Sequence, residues 1–259
     1  TGSNGKTTVK EMVAAILRKA TWIKESSVVQ QNDPVLATEG NLNNDIGVPL
    51  MLLRLRQHHQ YAVFEMGMNH IGEIAYLTQL VKPDVVLITN AGNAHIEGLG
   101  SIEAVARAKA EIFQGLRHQG TAIINADDTY APLWRDYASS YPKIDFGLRQ
   151  PAQISATYQM NALTSQMQLK LPDGEVTVHL QVPGVHNIYN ALAAAATTVA
   201  LRINKTQIAT GLESFTGVKG RIQKKRGLHN TLLLDDTYNA NPDSVSAALA
   251  VLAASSGKK

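Results

Sequence analysis

Apolar positions along this chain follow two periods, and the change from one to the other outlines the fold. Val9, Met12, Val13, Ile16 and Leu17 recur at helical spacing and predict an amphipathic helix that starts inside the opening segment TGSNGKTT. GVPLMLLRL predicts a short helix with Pro49 in its first turn. YAVFEM (Tyr61 to Met66), DVVLIT (Asp84 to Thr89) and TAIIN (Thr121 to Asn125) are short apolar runs of the kind that become strands buried on both faces. Ser101 to Leu116 predicts a helix between the last two. Strands alternating with helices require right-handed crossovers and a mainly parallel sheet, with ligands at the carboxyl ends of the strands.

Between Gln153 and Val182 the period falls to two. Met167, Leu169 and Leu171 alternate with polar residues, as do Val176, Val178, Leu180 and Val182 beyond the turn PDGE, which predicts a small antiparallel sheet. Helical spacing returns over Gly184 to Leu201 and Lys205 to Phe215. A glycine-containing basic connector, GVKGRIQKKRG, then leads to the strand TLLLDD and to a helix opened by Pro242. The expectation is an α/β fold: a mainly parallel phosphate-loop sheet flanked by helices with a small antiparallel sheet over residues 1–222, then the opening strand and helix of a second domain over 223–259.

Composition narrows the class without choosing the chemistry. With 259 residues, 44% of them hydrophobic and 17% charged, the chain can bury a large core and is unlike a disordered one. Its formal charge of +3 is spread along the chain, and the one basic run, Lys224 to Arg226, reads as a solvated linker, so no nucleic-acid partner is expected. The absence of cysteine excludes disulfides and Cys-based metal sites. No stretch has the roughly 18 apolar residues of a membrane span. The ends, TGSN and SSGKK, read as those of an excerpt.

TGSNGKTT carries the candidate chemistry. Gly2, Ser3, Asn4, Gly5, Lys6, Thr7 and Thr8 offer backbone N–H donors, an ammonium and hydroxyls at a helix start, the groups that hold polyphosphate and Mg²⁺. The complete pattern needs a glycine one position before Thr1, and an apolar strand ending in glycine there would complete it; the bland alternative is a glycine turn capping a helix. Glu65, where a strand empties into a loop, is either a salt-bridged acid or a Mg²⁺ ligand opposite Thr7. His95 is either an exposed loop histidine or a ligand. Asn41, Asn43 and Asn44 in NLNNDIG are either turn formers or donors aimed at a ligand. Lys109 falls within the stripe Ile102, Val105, Ala106, Ile112, Phe113 and Leu116, on the inward face of its helix. Desolvation there lowers a lysine's pKa, and such a residue snorkels, pairs with a carboxylate, or is kept for its reactivity, which includes capture of carbon dioxide as an anionic carbamate. Arg221 is either a solvated linker residue or a neutraliser of phosphate charge, and Asp235 and Asp236 either form a turn or reach a ribose.

Taken together, TGSNGKTT, GNLNNDIGVP, FEMGMNHIGEI, NAGNAHIEGLGS, ARAKAEIF, GVHNIYNALAAA and DDTYNANPDSV resemble the Mur ligases of bacterial cell-wall synthesis over nearly the whole chain. NLNNDIG and DDTYNANP are most similar to the members that join D-alanyl-D-alanine to UDP-N-acetylmuramoyl-tripeptide. The resemblance implies a cytoplasmic, monomeric, ATP-dependent amide ligase working through an acyl phosphate. It also implies that 1–222 is the central ATPase domain, that 223–259 is the first β-α unit of a Rossmann-like third domain, and that the amino-terminal UDP-substrate domain lies outside this stretch. By resemblance, Lys6 binds the terminal phosphates, Thr7 and Glu65 hold one Mg²⁺, and His95 with carbamylated Lys109 holds a second. Asn187 and Asn190 would approach the adenine, Arg221 the γ-phosphate, Asp236 the ribose, and Asn41 and Asn44 the substrate. The chain has Lys219, Gly220 and Arg221 where the family often has Pro-Gly-Arg. The competing expectations are a related ligase, such as another Mur enzyme or folylpolyglutamate synthase, and a nucleotide-dependent switch without ligase chemistry.

Overall fold

The computed structural model describes residues 1–22, 33–93, 96–161 and 163–255. Helix α1 (Lys6–Trp22) opens directly from the glycine loop, as its apolar spacing predicts. β1 (Val35–Ala37), α2 (Gly47–Leu52) and β2 (Tyr61–Val63) follow, and β1 and β2 pair in parallel. Next come α3 (Glu73–Val81), β3 (Val85–Ile88), α4 (Ile96–Leu99), α5 (Ile102–Ala110), β4 (Thr121–Asn125), α6 (Ala131–Tyr137) and β5 (Lys143–Phe146). β3, β4 and β5 form a parallel sheet in that order, with Val86 beside Ala122 and Ile123 beside Ile144. Ile123 faces the core built by α1 and α7, whereas Ala122 and Ile124 face the core beneath α3, α5 and α6 once both are assembled. Both faces of β4 are covered, and that is why TAIIN shows no alternation.

β6 (Ser155–Met160), β7 (Ser165–Leu171) and β8 (Gly174–Leu180) form the expected antiparallel sheet. Along β7 every second residue is buried, Met167, Leu169 and Leu171 inward and Gln166, Gln168 and Lys170 outward. The long helix α7 (Val185–Ala200) lies between α1 and the two three-stranded sheets, its alanines Ala193 to Ala196 all buried. Small side chains let it approach its neighbours on every side. α8 (Lys205–Ser214) completes this layer against α1 and β8.

Three local differences from the sequence expectation have physical reasons. The helix expected over Ser101 to Leu116 tightens to a 3₁₀ turn at Glu111–Gly115. There the carbonyl of Ile112 accepts from the Thr78 hydroxyl, and the Glu111 carboxylate turns aside to accept from the N–H groups of Gly72 and Ala75 at the start of α3. The polar connector contains strand β9 (Gln223–Arg226), antiparallel to β10 (Leu232–Asp235), with the Lys224 ammonium donating to the carbonyls of Leu163 and Gln181. Lysines in an edge strand keep their heads in water or on carbonyls while the backbone pairs. β1, α3, α6 and β5 were not expected, being too short or too mixed in polarity to stand out. The chain then runs into α9 (Pro242–Ala254), whose start carries a capping box between Asn241 and Ser244.

Residues 1–3 run beside the end of β3, where the Thr89 N–H donates to the Thr1 carbonyl at 3.0 Å and the Ser3 N–H to the Asn90 carbonyl at 3.0 Å. Between β2 and β3 lies a cavity of about 340 Å³ lined by Val9, Val13, Val63, Val85 and Leu87. The opening loop and the exits of β2 and β3 therefore share one end of the molecule.

Candidate functional site

The opening loop is held from behind by the exit of β3. Asn90 uses its amide in both senses, accepting from the Asn4 N–H at 2.8 Å and donating to the Asn4 carbonyl at 3.1 Å. The Thr89 hydroxyl donates to the same carbonyl at 2.6 Å, and Asn125 at the end of β4 donates to the Thr89 carbonyl at 2.9 Å. Neither Thr89 nor Asn90 was a candidate from sequence, although a polar pair at the mouth of a buried strand is the signal that finds them. Gly2 lies against Thr89, where a β-carbon would come within 1.8 Å of the hydroxyl oxygen.

Gly5 has φ +84°, and a β-carbon there would meet Asn190 Oδ1 at 2.4 Å. Asn190 in turn donates to Asn187 Oδ1 at 3.1 Å, and Asn187 donates to the Pro183 carbonyl at 2.7 Å. Gly5→Ala combines left-handed strain of roughly 1–2 kcal/mol with displacement of this amide pair, and we expect it to weaken ADP binding about tenfold or more by calorimetry. Unchanged affinity would remove Gly5 and Asn190 from the nucleotide site.

Asn4, Gly5, Asn187, Asn190, Arg221 and Asp236 line one cavity of about 370 Å³. Its far wall contains Asp127, whose carboxylate accepts from the N–H groups of Leu148, Arg149 and Gln150 and from the Tyr189 hydroxyl at 2.7 Å. Burial pushes the Asp127 carboxyl up, but these hydrogen bonds outweigh it and hold the group below its ordinary value. The wall is thereby tied to α7. Asp236 accepts from the Ile222 N–H at 3.1 Å, whereas its neighbour Asp235 turns to Lys225 and Thr237, which hold its carboxyl at about 2. His186 is held below its ordinary pKa by burial, opposed by the charge of Asp236. The Arg221 guanidinium sits 4.5 Å from the centroid of the Tyr238 ring, and its buried Nε has no hydrogen-bond partner.

On the other side of the loop stand the groups read as metal and phosphate ligands. The Lys6 ammonium donates to the Gly2 carbonyl at 2.8 Å and the Ser3 carbonyl at 3.3 Å. Burial lowers its pKa, the charge of Glu65 raises it and Arg221 lowers it again, so three of the candidate residues act on one another. Thr7 is buried at the start of α1. Glu65 is 5% exposed; the Thr38 hydroxyl oxygen accepts from its N–H at 2.9 Å, and the Asn43 amide donates to its Oε1 at 2.9 Å. Its second oxygen, Oε2, is buried and has no hydrogen-bond partner. Lys109 is 1% exposed, and its side chain makes no hydrogen bond or ion pair with a described residue. Desolvation, then the nearby Lys6 charge, lowers its pKa to about 7. Among the described residues the inward lysine has no side-chain partner.

His95 lies outside the described residues. Asn41 is exposed, and Asn44 accepts from the Gly47 N–H at 2.8 Å at the start of α2, so the member of this loop that touches another candidate residue is Asn43. Among the described residues no three His, Cys, Asp or Glu side chains form an all-protein metal cage. Mg²⁺ in phosphate sites needs none, since one or two carboxylates or hydroxyls suffice beside the phosphate oxygens. The orphaned oxygen of Glu65 and the hydroxyl of Thr7 are hard donors of that kind.

Residues 1–198 match the Mur ligase middle domain. The chain is 44% identical to the UDP-N-acetylmuramoyl-tripeptide–D-alanyl-D-alanine ligase of Haemophilus influenzae over 97% of its own length and 53% of that protein. It is 44% identical to the corresponding Escherichia coli enzyme over 98% of its length and 54% of the relative. The chain thus spans about half the length of the curated relatives it matches. Among solved structures, MurF from Acinetobacter baumannii superposes with a TM-score of 0.90 at 42% identity, covering 99% of this chain and 53% of that one. The MurF ligase of Thermotoga maritima in complex with ADP gives a TM-score of 0.83 at 26% identity, covering 99% and 56%. With the middle-domain match covering residues 1–198, well over half of its length, this chain belongs to the Mur ligase family.

Proposed function

We propose that this chain is the ATP-binding and phosphoryl-transfer portion of a ligase that joins D-alanyl-D-alanine to UDP-N-acetylmuramoyl-tripeptide. The observation that carries the reading is the gathering at one loop of an ammonium, a buried carboxylate with an oxygen lacking a partner, and a buried amine with no partner among the described residues, as Lys6, Glu65 and Lys109. In the reaction a carboxylate oxygen of the tripeptide attacks the γ-phosphorus of ATP and the bond to ADP breaks. The amine of D-alanyl-D-alanine then adds to the acyl carbon, phosphate leaves, and the amine gives up its proton. Two like-charged reactants have to meet in the first step, so positive charge and alignment matter more than covalent help. Lys6 supplies an ammonium beside the phosphates, and Arg221, oriented by Tyr238, faces the same loop across the cavity. Asn187 and Asn190 present buried amides to the base, and Asp236 presents a carboxylate to the ribose.

Mg²⁺ would neutralise phosphate charge; Thr7 and Glu65 fit one ion, and His95 with Lys109 as its carbamate is the proposed site of a second. Asn41 and Asn44 are proposed to face the muramoyl substrate. Residues 1–222 are read as the central domain and 223–259 as the start of the third, a division supported by the separate pairing of β9 with β10. A cytoplasmic monomer is part of the same proposal, and no helix among the described residues is long and apolar enough to cross a membrane.

The test is phosphate release by the full-length protein with ATP, the UDP-linked tripeptide and a series of amines. D-alanyl-D-alanine is expected to stimulate release well above L-amino acids or free glutamate. Stimulation by another amine would reassign the protein to a related ligase, and release independent of any amine would make it a nucleotide switch.

A further inference from the structure

We propose that Asn43 is the positioning residue of Glu65, setting which carboxylate oxygen is presented to the metal ion. The inference rests on the reading of Glu65 as a Mg²⁺ ligand. Two hydrogen bonds dock the asparagine loop on the exit of β2: the Gly67 N–H donates to the Asn43 carbonyl at 2.7 Å, and Asn43 Nδ2 donates to Glu65 Oε1 at 2.9 Å. The fit is close, because a β-carbon on Gly67 would come within 3.3 to 3.4 Å of the Asn43 amide atoms. On the other side the Thr38 hydroxyl fixes the Glu65 N–H. Backbone and one oxygen are therefore immobilised, and Oε2 alone is left buried without a partner.

The chemical type of the partner matters. A guanidinium or ammonium on Oε1 would neutralise the carboxylate and compete with a cation at Oε2. An amide donates one hydrogen bond, fixes the rotamer and leaves the full negative charge for a metal. Neighbours Asn41 and Asn44 do not share this geometry, since both are exposed and the Asn44 amide oxygen instead accepts from the Gly47 N–H.

The experiment uses the full-length protein with ADP and Mn²⁺ as the probe, and reads Mn²⁺ affinity by electron paramagnetic resonance and ADP affinity in EDTA by calorimetry. Asn43→Ala is expected to weaken Mn²⁺ binding about tenfold, with ADP affinity in EDTA within about twofold of wild type. Glu65→Gln is run alongside, and is expected to weaken Mn²⁺ at least as much. If Glu65→Gln weakens Mn²⁺ but Asn43→Ala does not, the positioning role is overturned while the ligand reading stands. If Glu65→Gln leaves Mn²⁺ affinity unchanged, the ligand reading fails and the proposal falls with it. Equal losses of Mn²⁺ and metal-free ADP binding in Asn43→Ala would mark a general loop defect and also overturn it. Should Asn43→Ala not fold, Gly67→Ala replaces it; that variant keeps Asn43 but crowds its amide, and a metal-specific loss of about threefold is expected.

Discussion

Lys109→Ala in the full-length protein is expected to lower ligase turnover by on the order of 10³-fold, with Lys109→Arg no better. The argument starts from the cost of the native residue. A lysine that is 1% exposed and has no side-chain partner among the described residues destabilises the fold unless its amine is neutral, and burial together with Lys6 brings its pKa to about 7. A neutral amine near pH 7 is a nucleophile. Attack on carbon dioxide forms an N–C bond, opens one C=O π bond and releases a proton to solvent, leaving one negative charge shared by two oxygens where a neutral amine had been. Arginine stays protonated and forms no such group, so it retains the volume and loses the chemistry. Depleting carbon dioxide should lower wild-type turnover, and bicarbonate should restore it; near-normal turnover in either variant would refute the role.

The same residue has a stability signature with a definite sign. The folded-state pKa of about 7 lies below the ordinary 10.5, so between those values the unfolded chain binds a proton that the folded protein does not. Stability therefore rises with pH across that window, by up to ~1.4 kcal/mol per pH unit, and the full penalty applies below pH 7. Lys109→Met removes the titrating group. Denaturant unfolding in buffer depleted of carbon dioxide, where the amine stays free, should show the variant more stable than wild type by roughly 1–4 kcal/mol near neutral pH, with the gap closing towards pH 10.

Arg221→Ala is expected to cost on the order of 10³-fold in kcat while ADP affinity changes little. Its guanidinium is stacked on Tyr238 rather than ion-paired, its Nε has no partner, and its charge reaches Lys6 at the phosphate loop. A cation held by an aromatic face keeps its charge available for a charge that grows during transfer. Arg221→Lys should recover little, because a point ammonium neither stacks as a plane nor offers a forked donor. A kcat within tenfold of wild type in Arg221→Ala would place the residue outside phosphoryl transfer.

Much of this molecule was legible in the order of its residues. Period-two alternation in β7 and β8, the unbroken apolar run of β4 and the helical stripe of α1 each appear where side-chain burial dictates, because local periodicity and burial are the same constraint expressed in one dimension. The inward placement of Lys109 was readable for that reason, and the glycine loop opening α1 was readable because its glycines and Lys6 are contiguous. Short elements such as β1 and β5 carried too few residues to show a period.

Partnerships across long separations were beyond the sequence. Nothing local distinguishes Asn43 from Asn41 or Asn44, yet 22 residues on in the chain Glu65 brings its Oε1 to the first of them. Asn90 likewise clamps Asn4 from 86 residues away, and Asp236 rather than Asp235 turns to the cavity because Lys225 and Thr237 hold the other carboxylate. Residue order determined which faces are buried and which chemical groups are available. Only the packed sheets decided which of those groups meet, since hydrogen bonds and unscreened charge act over a few ångströms of space irrespective of separation along the chain.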